Sequence, residues 1–341
     1  MDAQIKPARS RSCSQAETLR SRTGTEDFMT GSQEFHSTKQ ETVLLTGATG
    51  YIGSRLLRRL EHGPLQVRCL VRRPEALSSV AASETEIVGA DLLQPESLPN
   101  AMRGVSTACY LVHSMASGGD FALEDRKAAT NFAQAALEAG VQRIVYLGGL
   151  GAGRNLSGHL ASRREVGEIL RNSGVPTIEF RASIIIGSGS LSFEMIRALV
   201  EKLPVMLTPK WVRTQCQPIA IDDVLDYLVA VLDVACTVSC QSQVFEIGGP
   251  DRASYRDLMA EFARQRGLKR LLISVPVLSP RLSSLWLGLF TPVYARIGRK
   301  LVESLRNETV VVDESAMEAF PIRPRGMADA VKRALDNEDR V

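Results

Sequence analysis

At 341 residues, 44% of them hydrophobic and 23% charged, the chain has the length and composition of a globular protein with a sizeable buried core. A formal net charge of only +3, with basic residues scattered among acidic ones, argues against a surface that neutralises many phosphates, so no nucleic-acid partner is expected. No apolar run reaches the roughly 20 residues of a membrane-spanning helix and the N-terminus lacks a secretory h-region, which leads us to expect a soluble, cytoplasmic protein.

Residues 1–40 are rich in Ser, Thr, Arg and Glu and nearly devoid of periodic apolar positions. Such a segment cannot bury enough surface to offset the entropy of ordering, and it reads as a disordered leader. From Thr42 the texture changes to short β-branched or apolar runs that alternate with helix-length amphipathic stretches. Strands are predicted over 43–46, 67–71, 86–88, 108–112, 143–147, 177–180 and 244–247, with helices over 52–61, 95–102, 125–139, 162–172 and 222–233. This alternation predicts an α/β fold, a doubly wound parallel sheet. After Pro250 the pattern is less regular, with a helix near 254–265 and an apolar stretch over 282–297. A smaller, mostly helical C-terminal substrate lobe over 251–341 is expected, partly interleaved with the preceding domain over 41–250.

Of six cysteines, Cys69 and Cys109 fall inside apolar strands and read as reduced, buried thiols. Cys236 and Cys240 lack a second Cys or His pair at ligand spacing, so no metal site is expected.

The string Thr46-Gly47-Ala48-Thr49-Gly50-Tyr51-Ile52-Gly53 follows an apolar strand and opens a helix. In that context Gly47 permits a tight turn, Gly50 lets backbone approach a pyrophosphate, and Gly53 lets helix pack closely on strand. Unpaired N–H groups of Thr49 through Gly53 and the helix dipole then favour the phosphates of a dinucleotide, NAD(P). At the end of the second strand stands Arg72-Arg73 where an NAD-selective site would carry a carboxylate. A guanidinium there can clamp a 2′-phosphate, so NADP(H) is favoured over NAD(H), with Arg72 the candidate and Arg73 read as solvated. Asp91-Leu92, after the third strand, offers either an acceptor and an apolar face for adenine or a helix N-cap region ahead of Pro95.

With these residues in place, the chain resembles the extended and atypical branches of the short-chain dehydrogenase/reductase superfamily from about Thr42 to Leu335. Besides the glycine loop, the likeness rests on Asp91-Leu92, Asn131, Gly140-Val141-x-Arg143-Ile144-Val145-Tyr146-Leu147, Ser173-Gly174-Val175-Pro176, Gln217-Pro218-Ile219 with Asp222-Asp223, and Phe245-Glu246-Ile247-Gly248-Gly249-Pro250. It is most similar to NAD(P)-binding proteins of the NmrA-like or epimerase/dehydratase-like kind, and to the Rossmann accessory subunit of respiratory complex I.

That resemblance implies a Ser or Thr after the fifth strand and a Tyr-x-x-x-Lys pair on the next helix, where tyrosine exchanges the proton. Here Gly148-Gly149 stands at the first place and His159-x-x-x-Arg163 at the second. His159 is read as a general acid or base, or else a polar helix-face residue or cofactor contact, and Arg163 as a ribose or phosphate anchor. Tyr110 and Tyr146 lie on strands and would need unusual positions to substitute. His113, with Met115, ends the fourth strand at the carboxyl edge, where ligands of open α/β sheets bind. Met195 follows the glycine-serine cluster of residues 187–190 and, with Met206, Trp211, Trp286 and Phe290, is a candidate wall of an apolar substrate pocket or else part of the lobe core. The stretch 282–297, with Arg296, Arg299 and Lys300 beside it, fits burial in the lobe or peripheral contact with a membrane or a quinone-bearing partner. Two functions follow: an NAD(P)H-dependent oxidoreductase acting on a small apolar carbonyl or quinone-like substrate, or a non-catalytic NAD(P)(H)-binding sensor or assembly subunit.

Overall fold

The computed structural model describes residues 41–113, 120–151, 153, 155–233, 241–274 and 304–337. The predicted leader, Met115, the Cys236–Cys240 pair, Trp286, Phe290 and the stretch 282–297 lie outside the described residues, as does the side chain of Trp211.

Seven strands form one parallel sheet: β1 (Thr42–Thr46), β2 (Gln66–Val71), β3 (Glu86–Gly89), β4 (Thr107–Tyr110), β5 (Arg143–Gly149), β6 (Thr177–Ala182) and β7 (Gln243–Ile247). Their order is β7-β6-β5-β4-β1-β2-β3, so the winding direction reverses between β1 and β4, and ligands of doubly wound sheets bind outside the strand ends at such a point. Each predicted strand is present to within a few residues. Helices α1 (Tyr51–Leu60), α3 (Leu98–Met102), α4 (Phe121–Glu138), α5 (Gly158–Arg171) and α7 (Ile221–Leu232) connect or cover them, with a short α2 at Glu75–Ser78.

Successive side chains of a strand point to opposite faces, and the core divides accordingly. Val43, Leu45, Cys69, Cys109, Leu147 and Phe180 pack with Leu56 of α1 and Val224, Tyr227 and Leu228 of α7. Leu44, Leu70, Ala108, Tyr110, Ile144 and Tyr146 pack on the other face with Met102, Phe132, Val166 and Leu170. Burying each such large apolar side chain contributes roughly 1.5–3 kcal/mol, enough in aggregate to fix the register of both faces.

Two helices begin earlier than their apolar periodicity indicates, and both are capped. Asp120 accepts from the backbone N–H groups of Ala122 and Leu123, which starts α4 at Phe121 rather than 125. Ser157 Oγ accepts from Leu160 N–H, which starts α5 at Gly158 and sets His159 in its first turn. A second core joins α6 (Leu191–Lys202), α8 (Tyr255–Gln265) and the helix Met327–Asp336 through Phe193, Met195, Leu199, Met259, Phe262 and Val331. The chain after residue 304 also returns to the main sheet, where Phe320 lies among Phe180, Tyr227 and Phe245. No helix among the described residues is long and apolar enough to cross a membrane.

Candidate functional site

The turn from β1 into α1 is closed by the Gly50 N–H donating to Gly47 O at 2.8 Å. Gly47 has φ +69°, and a Cβ there would stand 2.6 Å from Leu111 O; a Cβ on Gly53 would stand 2.1 Å from Gly47 O. Backbone thus fills the space of both side chains, and only glycine allows this turn under this helix. The N-cap of α1, Gly50, supplies no side-chain cap, and no acidic residue lies in the first turn. The leading amides of α1 are therefore left to an external acceptor, at the positive end of a helix with Arg58 and Arg59 in its last turn. This cradle fits a dinucleotide pyrophosphate.

Arg72 emerges exposed just beyond β2, and the guanidiniums of Arg72 and Arg73 make no hydrogen bond or ion pair among the described residues, while the Arg73 carbonyl accepts from Ala76 N–H. Asp91 Oδ1 accepts from Leu93 N–H at 3.0 Å, and its backbone N–H donates to Ser97 Oγ, so its first role is to shape the bend after β3. Leu92 is buried with Leu44, Leu70 and Met102, and its carbonyl accepts from Asn131 Nδ2 at 2.8 Å.

Beside the turn, at the reversal of the sheet, opens a cavity of about 460 Å³. Gly50, Tyr51, Ile52 and Gly53 form its cofactor end, Gly148 and Gly149 its floor, and His113, His159 and Arg163 one wall. The hydroxyl of Thr46 starts this opening. It donates to Cys109 O and accepts from Leu111 N–H, a bond that takes the chain off β1 just where β4 ends at Tyr110. Leu111, Val112 and His113 consequently run past the sheet edge into the cavity wall.

The wall is built around two imidazoles. His113 Nδ1 lies 2.9 Å from Asp125 Oδ2, His113 Nε2 lies 2.9 Å from His159 Nδ1, and the ring centroids are 4.7 Å apart. Asp125, on α4, is 2% exposed. Arg163, one turn after His159, donates from Nη2 to Leu147 O at the end of β5. The strand tyrosines are elsewhere: Tyr146 Oη donates to the backbone carbonyl of Arg163, and Tyr110 packs edge-on against Phe132 and Tyr146. Burial pushes both phenols upward in pKa, and neither residue lines the cavity.

The opposite wall carries Ser183, Thr309 and Tyr255. Ser183 Oγ and Thr309 Oγ1 are 2.6 Å apart, and Tyr255 hydrogen-bonds Thr309. Over the cofactor end, the turn 187–190 is held by Arg55, whose Nη2 donates to Ser188 O at 2.8 Å while its guanidinium stacks 4.0 Å from the Tyr51 ring centroid. Burial pushes the Tyr51 phenol up to about 12. Met195 is 4% exposed and lies in the second core, outside the cavity lining. Among the described residues no group of three or more His, Cys, Asp or Glu is placed to hold a metal.

Asp125, Ser162, Ser183, Tyr255 and Thr309 were not singled out from sequence. Asp125 carried a signal: it stands one turn before Ala128, Ala129, Phe132 and Ala133, on the buried stripe of α4, where an acid requires a partner.

A family model described as NAD(P)H-binding matches residues 47–177. Ceramide reductase from Caulobacter vibrioides is 28% identical over 69% of this chain and 73% of its own length. Among solved structures, the NADPH-dependent quinone oxidoreductase of Escherichia coli complexed with NADPH has a TM-score of 0.67 at 20% identity, covering 86% of this chain and 99% of that one. The triphenylmethane reductase of Citrobacter sp. complexed with NADP(H) has a TM-score of 0.69 at 18% identity, over 86% and 99%. The glycine cradle and the strand order agree with that match: residues 47–177 match an NAD(P)H-binding domain, and the chain has the Rossmann-like fold of these solved structures.

Proposed function

We propose that the protein is an NAD(P)H-dependent reductase of a carbonyl or quinone-like compound with a substantial apolar part. The observation that carries this reading is the paired imidazole of His159 and His113 in the wall of a cavity whose other end is the dinucleotide cradle. A bound nicotinamide would supply hydride at that cavity. Tyr51 and Ile52 present amides to the pyrophosphate, Arg163 sets a fixed positive charge beside the floor, and His159 exchanges the proton that the absent tyrosine would have handled. Leu111, Leu147, Leu160, Ile184 and Leu305 make the rest of the lining apolar, which suits a hydrocarbon substituent and excludes water from the reacting end. Relatives that act, by name, on ceramide, quinone and triphenylmethane dyes support a substrate of this character.

NADP(H) is the preferred dinucleotide on this reading, because the unpaired Arg72 stands at the end of β2 with no carboxylate competing for the ribose. Both proposals are tested by incubating purified protein with NADPH or NADH and a panel of quinones, aldehydes and long-chain ketones while following the reduced-nicotinamide absorbance. Turnover that prefers NADPH and is lost in His159→Gln is the expected result. Tight NADPH binding with no turnover across the panel would instead identify a dinucleotide sensor, a reading favoured only by the absence of the tyrosine–lysine pair.

A further inference from the structure

Three separate elements bring Asp125, His113 and His159 into one line. His113 follows β4, Asp125 sits in the second turn of α4, and His159 in the first turn of α5. Ser162 Oγ, three residues after His159, donates at 3.0 Å to the same Asp125 oxygen that faces His113. Building on the reductase reading above, we propose that Asp125 and His113 are positioning residues that keep one shared proton on the imidazole pair, so that His159 Nε2 can exchange it with the substrate oxygen.

The hydrogen count follows from the geometry. An ionised carboxylate only accepts, so His113 Nδ1 carries a hydrogen directed at Asp125. With both rings neutral, His113 Nε2 must then accept from His159 Nδ1–H, and His159 Nε2 bears a lone pair, the form suited to taking a proton from an alcohol. One added proton converts His159 Nε2 into a donor, the form suited to reduction. In that direction the carbonyl π pair closes onto oxygen as carbon gains hydride from the reduced dinucleotide, and the oxygen takes the proton of His159 Nε2. Two neutral rings remain, and one proton from water restores the pair.

The charges around the pair decide whether that proton is held near neutral pH. Arg163 on the same wall and the N-terminus of α5 both oppose an imidazolium. Tyr110 and Tyr146, behind Asp125, are kept neutral by burial and contribute no charge. The buried carboxylate in direct hydrogen-bond contact favours it, and such a neighbour moves an imidazole by about one to three pKa units, more than a helix end does. Of these described neighbours, Asp125 acts most strongly on the pair.

The chain has four histidines, so nitrogen-15 imidazole spectra of the full-length protein can be assigned completely with single His→Gln variants. The expected result, with and without NADPH, is that His113 and His159 titrate as a coupled pair, that His113 Nδ1 stays protonated throughout, and that Asp125→Asn lowers the midpoint of the pair by about one to three units. Asparagine preserves the acceptor toward His113 and Ser162; should it still prevent folding, His113→Gln is the second variant, expected to lower the His159 midpoint and reduce kcat with the NADPH Kd unchanged. In turnover, reductive kcat should fall as pH rises through the midpoint of the pair, and Asp125→Asn should move that fall to lower pH. Rings that titrate independently, or a midpoint insensitive to Asp125→Asn, would overturn the relay even in an active enzyme. Coupled titration without turnover on any panel substrate would instead remove the reductase reading.

Discussion

Substituting Gly53 by alanine tests the cofactor cradle at its tightest contact. The added methyl would stand 2.1 Å from Gly47 O, 2.7 Å from Gly47 C and 3.0 Å from the Ala48 Cα, all backbone atoms without rotamers to yield. Restoring an ordinary contact requires the Gly47 carbonyl to retreat by about 1 Å, which breaks the 2.8 Å bond it accepts from Gly50 N–H and turns the leading amides of α1 away from their common focus. Overpacking of this kind costs about 1–3 kcal/mol of stability. Losing even one aligned, charge-assisted amide costs the ligand about 1.5–3 kcal/mol, so NADPH affinity should drop by about tenfold or more. Gly140→Ala is the matched control. Gly140 has φ +73° at the end of α4 with nothing within 4 Å of the methyl that alanine would add, so its substitution costs about 1–2 kcal/mol through backbone strain alone. Urea unfolding of the two apoproteins, paired with titration of NADPH fluorescence, separates the effects: both variants lose stability, and only Gly53→Ala loses cofactor. Wild-type NADPH affinity in a folded Gly53→Ala protein would refute the cradle.

Four further outcomes follow from the same structure. Arg72→Asp should weaken NADPH binding by about tenfold or more while leaving NADH within a few-fold, measured by calorimetry; equal losses for both would reject the phosphate contact. His159→Gln should lower reductive kcat by about 100- to 10,000-fold with the NADPH Kd unchanged, and a variant of wild-type rate would exclude His159 as the proton donor. Glu179, 1% exposed between Arg171 and Arg181, holds two guanidiniums under α5, so Glu179→Gln leaves them unneutralised and should cost about 3–5 kcal/mol in urea unfolding. Burial pushes the thiols of Cys69, Cys109 and Cys216 up to about 12, so at pH 8 they should resist iodoacetamide until the protein unfolds; peptide mapping that finds Cys69 alkylated in native protein would contradict that burial.

The parallel sheet and the glycine turn were legible in sequence because each rests on local rules. Val43-Leu44-Leu45 must be a buried strand, and glycines at 47, 50 and 53 fit no other common junction. Helix starts were misplaced where a capping side chain, Asp120 or Ser157, extends a helix beyond its apolar stripe. His159 was identifiable from its register against the missing tyrosine, but its partner was not. His113 and His159 lie 46 positions apart and Asp125 and Ser162 lie 37 apart, and no spacing rule connects turns that meet only after β5 is laid beside β4. The opposite wall was invisible for the same reason, since Ser183 and Thr309 lie 126 positions apart. Met195 reads as lobe core more readily than as pocket wall, and the structure buries it in the second core with Phe193 and Phe262, outside the cavity lining.

The return of residues 304–337 to the sheet also orders events during synthesis. Leu305 and Thr309 complete the cavity, Arg325 pairs with the buried Asp223 of α7, and Phe320 fills the space between Phe180, Tyr227 and Phe245. A nascent chain halted at residue 250 would already possess every strand of the sheet and the whole phosphate turn, yet it would leave an aromatic socket facing water. Translation must deliver Phe320 before the ribosomal product can hide that socket, so the last strand of the sheet is made well before the surface beside it is covered.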